Sequence, residues 1–364
     1  MRKDETTLPK YRLVKDYVLS QIENNELGKD GRIPSEAEFS KLLDVSSITV
    51  RKALAELVNE GVIYRVRGKG SFVVDRGNAA DKASSYVTFV MSGNEMYNSS
   101  YMQIIKGIQT CLSRQNCKLI IEFVENDFEQ ERALILKLIE SDNRGLLIYS
   151  ANPDAAKGYL EVIRKKSIPF VLLDRIPSGY PVDCITCNNY DGAYEAVQYL
   201  IDQGHRKIGF AAYDFHLSTE IERYNGYRQA LINASLTPND DLLHLPRELN
   251  YAKLIRQIEK GELTALFCAN DRRALEVIEE LTQRGVSIPD QVSIMGFDDV
   301  ESAKFAKVPL STVKQNFEAL GYEGAKLLLD KRANHSHGYK KIMLSTQLVL
   351  RDSVKTLIEA KQPQ

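Results

Sequence analysis

Two hydrophobic rhythms divide the chain. In the first, Val50, Ala53, Leu54, Leu57 and Val58 recur at i, i+3, i+4, i+7 and i+8, the spacing that lines one buried face of a helix. Ser46 stands ahead of that run as an N-cap, and Gly61 stops it. An earlier helix begins in Ile33-Pro34-Ser35-Glu36-Ala37-Glu38, because Pro34 cannot continue a preceding helix and Ser35 with Glu38 has the spacing of a capping box. That helix runs to about Leu43, and Asp44-Val45 makes the turn between the two. After Gly61, Val62-Ile63-Tyr64-Arg65-Val66 and Ser71-Phe72-Val73-Val74 read as strands joined by Arg67-Gly68-Lys69-Gly70.

From residue 86 the second rhythm takes over. Apolar runs at 86–91, 118–124, 145–149, 169–173, 183–186, 207–212, 264–268 and 292–297 alternate with amphipathic helices at 99–114, 128–141, 154–166, 190–203, 219–234, 250–260 and 270–284. Repeated β-α units with apolar strands predict parallel sheets covered on both faces. There are more strands than one small sheet holds comfortably, so two α/β lobes are expected. Asp75 to Ser85 is small, polar and aperiodic, which reads as a linker. The expected organisation is a domain at 1–76, a linker at 77–85 and a second domain at 86–356. Its lobes are expected at about 86–176 with 314–340, and 177–313 with 341–356.

The N-terminal pattern predicts a winged helix-turn-helix. Ser47, Thr49, Arg51 and Lys52 occupy the N-terminal end of the second helix, opposite its apolar face, where such a helix meets base edges and phosphates in a major groove. The hairpin tip sets Arg67 and Lys69 among Gly68 and Gly70, which suits phosphates or a minor groove. Net charge over the chain is only −1, yet residues 46–74 carry Arg51, Lys52, Arg65, Arg67 and Lys69 against Glu56 and Glu60. The basic patch thus coincides with helix and wing.

Leu8-Pro9-Lys10-Tyr11, Ile33-Pro34-Ser35-Glu36, Val45-Ser46 with Thr49-Val50-Arg51, and Glu60-Gly61-Val62-Ile63 leading to Gly68-Lys69-Gly70-Ser71-Phe72-Val73 closely resemble the GntR family of bacterial regulators over about residues 8–74. The resemblance implies DNA contacts from Ser35, Ser46, Ser47, Thr49, Arg51, Lys52, Arg67, Gly68, Lys69 and Gly70. The family usually has an arginine directly after the Val-Ser pair, whereas this chain has Ser47, which moves base reading onto Arg51, Thr49 and the wing.

Composition narrows the classes. Apolar content of 43% and charged content of 27% are those of an ordinary globular protein. No apolar run reaches the length of a membrane span, and Met1-Arg2-Lys3-Asp4-Glu5 leads into polar residues, so a cytoplasmic protein without a membrane partner is expected. Cys184 and Cys187 have redox or zinc spacing, but no second pair accompanies Cys111, Cys117 and Cys268, and positions i and i+3 of a strand face opposite ways. Structural cysteines are expected. His205, His216, His244, His335 and His337 form no metal pattern, and dinucleotide, P-loop and nucleophile-elbow motifs are missing. No cofactor, metal or catalytic group is expected.

In open parallel sheets, ligands bind beyond the carboxyl ends of the strands. There the chain places Ser150, Asp174-Arg175, Asn270-Asp271 and Asp298-Asp299, with Arg223 in a helix. Carboxylates, Asn and Arg converging on a cleft bind adjacent hydroxyls through charge-assisted hydrogen bonds, and a ring such as Tyr101 can stack on the apolar face of a sugar. The segment 86–353 resembles type I periplasmic sugar-binding proteins and the effector domain of LacI/GalR regulators. The resemblance lies in Asn98 and Tyr101 ahead of Ile104-Ile105-Lys106-Gly107-Ile108, Leu173-Asp174-Arg175, Gly204-His205-Arg206-Lys207-Ile208-Gly209, Arg223-Tyr-Asn-Gly-Tyr227, Phe267-Cys-Ala-Asn270-Asp271, Ile294-Met-Gly-Phe297-Asp298-Asp299 and Ser311-Thr312-Val313-Lys314-Gln315. It implies ligand contacts from Asn98, Tyr101, Asp174, Arg175, Arg223, Asn270, Asp298 and Gln315. Ser150 and Thr219 are further candidates. Relatives often have Pro-Phe before the aromatic where this chain has Ser99-Ser100.

The expected function is a DNA-binding regulator, a repressor of carbohydrate-utilisation genes. A homodimer would read a palindromic double-stranded operator under the control of a monosaccharide such as L-arabinose, L-fucose or another pentose or hexose. The alternatives are a solute-binding protein or a sugar-metabolising α/β enzyme.

Overall fold

The computed structural model describes residues 10–23, 32–60, 62–66, 70–73, 86–93, 99–125, 127–141, 145–213, 217–245, 248–333 and 338–357, and the chain divides into two compact units, Met1–Ser85 and Tyr86–Gln364. The first contains α1 (Lys10–Glu23), α2 (Glu36–Leu43), α3 (Ser47–Asn59), β1 (Ile63–Val66) and β2 (Gly70–Val73). Its core gathers Val14 and Val18 of α1, Phe39 of α2, Val50, Ala53, Leu54 and Leu57 of α3, and Ile63 of β1.

Local chemistry fixes the helix ends. Ser35 accepts from the Glu38 amide at 3.4 Å while Glu38 accepts from the Ser35 amide at 2.7 Å, the reciprocal capping box. α2 ends at Asp44, whose φ of 50° is the left-handed conformation a short polar side chain tolerates. Ser46 caps α3 by accepting from the Thr49 amide at 3.3 Å. β1 and β2 pair antiparallel with Ile63 opposite Val73 and Val66 opposite Gly70. The tip residues Arg67, Gly68 and Lys69 lie outside the described residues.

The second unit opens with β3 (Tyr86–Gly93), α4 (Ser99–Ser113), β4 (Lys118–Glu125), α5 (Phe128–Ile139), β5 (Leu146–Tyr149), α6 (Pro153–Lys165), β6 (Phe170–Leu173) and β7 (Cys184–Cys187). It continues through α7 (Asn189–Asp202), β8 (Ile208–Ala211), α8 (Ser218–Asn233), β9 (Leu243–His244), α9 (Tyr251–Glu259), β10 (Ala265–Cys268), α10 (Asp271–Gln283) and β11 (Ser293–Met295). α11 (Glu301–Phe305), β12 (Thr312–Lys314), α12 (Phe317–Ala333), β13 (Lys341–Leu344) and β14 (Gln347–Val349) complete it. The strands form a parallel six-stranded sheet ordered β13-β7-β6-β5-β3-β4, a parallel four-stranded sheet ordered β11-β10-β8-β9, and an antiparallel β12-β14 pair. These are the two α/β lobes.

The lobe partition needs one correction. Residues 184–187 and 341–344 were expected in the second lobe, but β7 pairs beside β6, with Leu172 opposite Cys184, and β13 pairs beside β7, with Lys341 opposite Cys184. Both strands belong to the six-stranded sheet. The chain therefore crosses between lobes after Cys187, near Gln315 and after Leu344, where the Asn188 amide donates to the Leu344 carbonyl at 2.8 Å.

Two glycines set the approach of α4 and α12. A Cβ on Gly107 would fall on the Glu318 carbonyl oxygen, and one on Gly321 would fall on the Ile104 carbonyl oxygen, so each helix needs a bare Cα where the other's backbone crosses it. Backbone atoms cannot rotate away as a side chain can. Gly107→Ala and Gly321→Ala should each destabilise the unit by about 1–3 kcal/mol or more through overpacking. Gly158 is exposed on α6, and a methyl group added there would meet nothing within 4 Å, so its change to Ala should gain about 0.5–1 kcal/mol. Chemical denaturation of the three variants checks the ordering, and a neutral Gly107→Ala would refute the close crossing.

Candidate functional site

In the first unit the hydroxyls at the start of α3 serve the helix. Ser46 Oγ lies 2.8 Å from Thr49 Oγ1 and accepts the Thr49 amide, while Ser47 Oγ lies 3.4 Å from Ser40 Oγ. Ser35 is occupied by the α2 cap. The cations are more available. Arg51 donates from Nε and Nη2 to Glu36 Oε2 at 3.2 and 3.1 Å, yet its side chain stays 66% exposed, so the pair is weak and can open for another anion. Arg65 Nη2 reaches the other oxygen of Glu36 at 3.4 Å. Glu36 is thus the counterion of two arginines on this face, a role hidden in the sequence because it read only as part of a helix start. Lys52 Nζ sits 4.8 Å from the centre of the Tyr11 ring. Gly70, at φ 116°, supplies the left-handed backbone that begins β2.

The second unit gathers its charged residues at strand ends. Asp174 follows β6 with φ 66°, its amide donating to the Ile185 carbonyl at 2.7 Å and its carbonyl accepting from Thr186 Oγ1 at 3.2 Å. Its Oδ2 accepts from the Tyr149 hydroxyl at 3.4 Å; its Oδ1 is buried without a hydrogen-bond partner among the described residues. Arg175 donates to the Ser150 carbonyl at 2.9 Å, with its guanidinium 4.5 Å from the centre of the Tyr149 ring. Tyr101 meets that ring edge-on at 5.5 Å.

Facing them, α8 presents Glu220 and Arg223 one turn apart, with Thr219 buried beside them. Arg223 donates from Nε to Asn189 Oδ1 at 2.9 Å and from Nη1 to the Ala269 carbonyl at 2.6 Å. The same Nη1 lies 3.4 Å from Asp298 Oδ1, and the guanidinium covers Phe297 at 3.9 Å. Asp298, after β11, accepts from Gln315 Nε2 at 2.6 Å, and Gln315 Oε1 is buried without a partner among the described residues. Asn270 caps α10 by accepting from the Arg273 amide at 2.9 Å and still donates from Nδ2 to Glu220 Oε1 at 3.2 Å. It is therefore both a cap and a member of the cluster. Across the lobes, Ser218 Oγ accepts from the Ile176 amide at 3.0 Å.

Of the residues expected here, Tyr101, Asp174, Arg175, Thr219, Arg223, Asn270, Asp298 and Gln315 lie on these elements, and Asn98 is outside the described residues. Ser150 also lies at a strand end: its hydroxyl donates to Glu131 Oε1 at 2.6 Å inside the first lobe, and its carbonyl accepts from Arg175. Glu131 is fully buried and also accepts from Ser92 Oγ, Tyr159 Oη and the Ala151 amide at 2.5–2.7 Å. Sequence reading missed Glu131 and Glu220 because each sits on a helix where a carboxylate looks solvated; the spacing of Glu220 three residues before Arg223 was the available signal. Cys184 and Cys187 are free and buried, and burial pushes their thiols up to about 11 and about 12. His205 is held between Thr264 Oγ1 and the Lys355 carbonyl, at 3.1 and 3.0 Å, as part of a turn.

Burial dominates the electrostatics. It raises the carboxyls of Asp174 and Asp298 above their ordinary range, opposed in both by Arg223. It also raises Asp271, further lifted by the nearby Asp298, although Asp271 accepts from Thr312 Oγ1 and the Val300 amide. Glu220 is pushed up to about 7, again by burial first, with Arg223 opposing.

The gntR family of bacterial regulatory proteins matches residues 10–73, and the periplasmic binding protein-like domain matches residues 197–354. An arabinose metabolism transcriptional repressor of Geobacillus stearothermophilus is 28% identical across 97% of this chain and 100% of the relative. The HTH-type transcriptional repressor PurR of Vibrio campbellii is 31% identical across 88% of this chain and 98% of the relative. Among solved structures, a LacI family transcriptional regulator from Enterococcus faecalis with bound ribose matches with a TM-score of 0.63 at 24% identity, over 75% of this chain and 100% of that one.

A carboxyl that holds its proton more firmly folded than unfolded contributes stability that is full below its unfolded value, 4.5 for Glu220, and lost as pH rises through its folded value, about 7. Melting temperature should therefore fall between about pH 5 and about pH 8, and Glu220→Gln should fall less steeply over that window. Thermal melts across the range decide; identical slopes would remove Glu220 from the buried carboxyls.

Proposed function

This chain belongs to the bacterial HTH-type transcriptional repressors that carry a periplasmic-binding-protein-like domain, and on that premise we propose that a monosaccharide held between its lobes controls its hold on an operator. The chain is a sequence-specific DNA-binding regulator: a gntR-type head joined to a LacI-like sensing domain. The genes it represses, on this reading, serve carbohydrate use.

One observation carries the choice of ligand. Among the described residues, Asp174 Oδ1 and Gln315 Oε1 are buried acceptors without a donor, close to the guanidinium groups of Arg175 and Arg223. A buried acceptor left unmade costs about 1–3 kcal/mol, and a hydroxyl both donates and accepts. Vicinal hydroxyls therefore suit a cluster that alternates carboxylate, amide and guanidinium. Three chain crossings join the lobes, and Gln315 lies at one of them, so a sugar bound there favours one lobe arrangement over the other. In a homodimer that choice alters the placement of the two heads on a palindromic operator. A coupling of about 1–3 kcal/mol changes operator affinity roughly 5- to 150-fold. L-Arabinose is the first candidate, given the arabinose metabolism repressor among the relatives, followed by L-fucose and other pentoses and hexoses. Such a regulator works in the cytoplasm, beside the chromosome.

Asp298→Asn tests the site. The amide keeps the volume and a hydrogen-bonding oxygen but removes the charge that faces Arg223. Sugar affinity should fall by about 1.5–3 kcal/mol, while operator binding by the sugar-free protein persists. Calorimetry with the sugar, paired with operator titration at fixed salt, reads both. Undiminished sugar affinity would overturn the assignment of Asp298 to the pocket.

A further inference from the structure

We propose that Ile48 reads the 5-methyl group of a thymine in each operator half-site. Of the described side chains of α3, the apolar Val50, Ala53, Leu54 and Leu57 are buried, yet Ile48 is 79% exposed. It lies in the first turn, and Arg51 and Lys52, three and four residues on, share its face. Ser47 beside it is short and exposed, so nothing from its neighbour shields the isoleucine. A β-branched residue in solvent near a helix start gains neither packing nor helix propensity there.

The surroundings define the occupant. Arg51 is paired with Glu36 at the surface, and Lys52 lies against the Tyr11 ring, so the face offers two cations around one apolar side chain. A DNA duplex matches that charge, and its major groove carries the thymine methyl as its apolar base-edge feature. A second protein copy would gain from Ile48 but would have to accommodate the Arg51 guanidinium, which stays 66% exposed beside Glu36. The inference rests on α3 as the element that enters the groove.

The test uses the full chain and a symmetric duplex selected by it from a random pool. Each thymidine is replaced in turn by deoxyuridine, at equivalent positions in both half-sites, and affinity is read by fluorescence anisotropy at fixed salt. At one position per half-site the wild type should lose about fourfold for each half-site altered, the ratio corresponding to about 0.8 kcal/mol for one buried methylene-sized group. Ile48→Ala should bind the thymine duplex more weakly and lose that discrimination, and Ile48→Val, which keeps the branched methyls, should retain most of it. Wild-type indifference to every replacement would overturn the proposal, as would an Ile48→Ala profile equal to that of the wild type. If Ile48→Ala instead changed the mass of the free protein in sedimentation and left the profile intact, Ile48 would be a contact between copies and the proposal would fail. Equal wild-type binding to selected and scrambled duplexes would bring down the assignment of α3 itself.

Discussion

The guanidinium of Arg223 is almost fully withdrawn from water, and the strand ends of the second lobe are arranged around that fact. A buried cation without partners costs several kcal/mol, so it dictates what surrounds it. Asn189, the Ala269 carbonyl, the Asp298 carboxylate and the face of Phe297 each meet it from a different element, which ties α7, β10, β11 and α8 into one constellation. Asp298 reaches its place with φ 130°, a conformation that an aspartate adopts only at a cost of about 1–3 kcal/mol. Gln315 then closes on Asp298 where the chain crosses between lobes. The charge cluster proposed for the ligand and the geometry that joins the lobes thus share residues, which is the physical requirement for a ligand to bias lobe arrangement.

Much of this was legible in the chain. Caps, turns and helix faces in the first unit follow from residues close in sequence: Ser35 with Glu38, Asp44, and Ser46 with Thr49. The strand-end placement of Asp174, Arg175, Asn270 and Asp298 follows from apolar runs that stop abruptly. What was not legible depends on partners distant in sequence. An apolar run does not say which strand it will lie beside, so 184–187 and 341–344 were expected in the wrong lobe. Glu131 belongs to a helix whose periodicity gives no hint that Ser92, Ser150 and Tyr159 converge on it. The same limit hid Glu36, because its two arginines come from α3 and β1. Gly107 and Gly321 became meaningful only when each was seen against the other helix's backbone.

Each unit builds its own core, the first around Phe39 and Leu54 and the second around the two sheets. Reading DNA and sensing a ligand can therefore be altered independently, and only their coupling makes a regulator. That coupling is best measured directly, as the affinity of the protein for a selected operator duplex while L-arabinose, L-fucose and other monosaccharides are titrated in at fixed salt. The account predicts that one sugar shifts operator affinity by roughly 5- to 150-fold and that operator shifts the affinity for that sugar by the same factor. Saturable sugar binding that left operator affinity unchanged would contradict it.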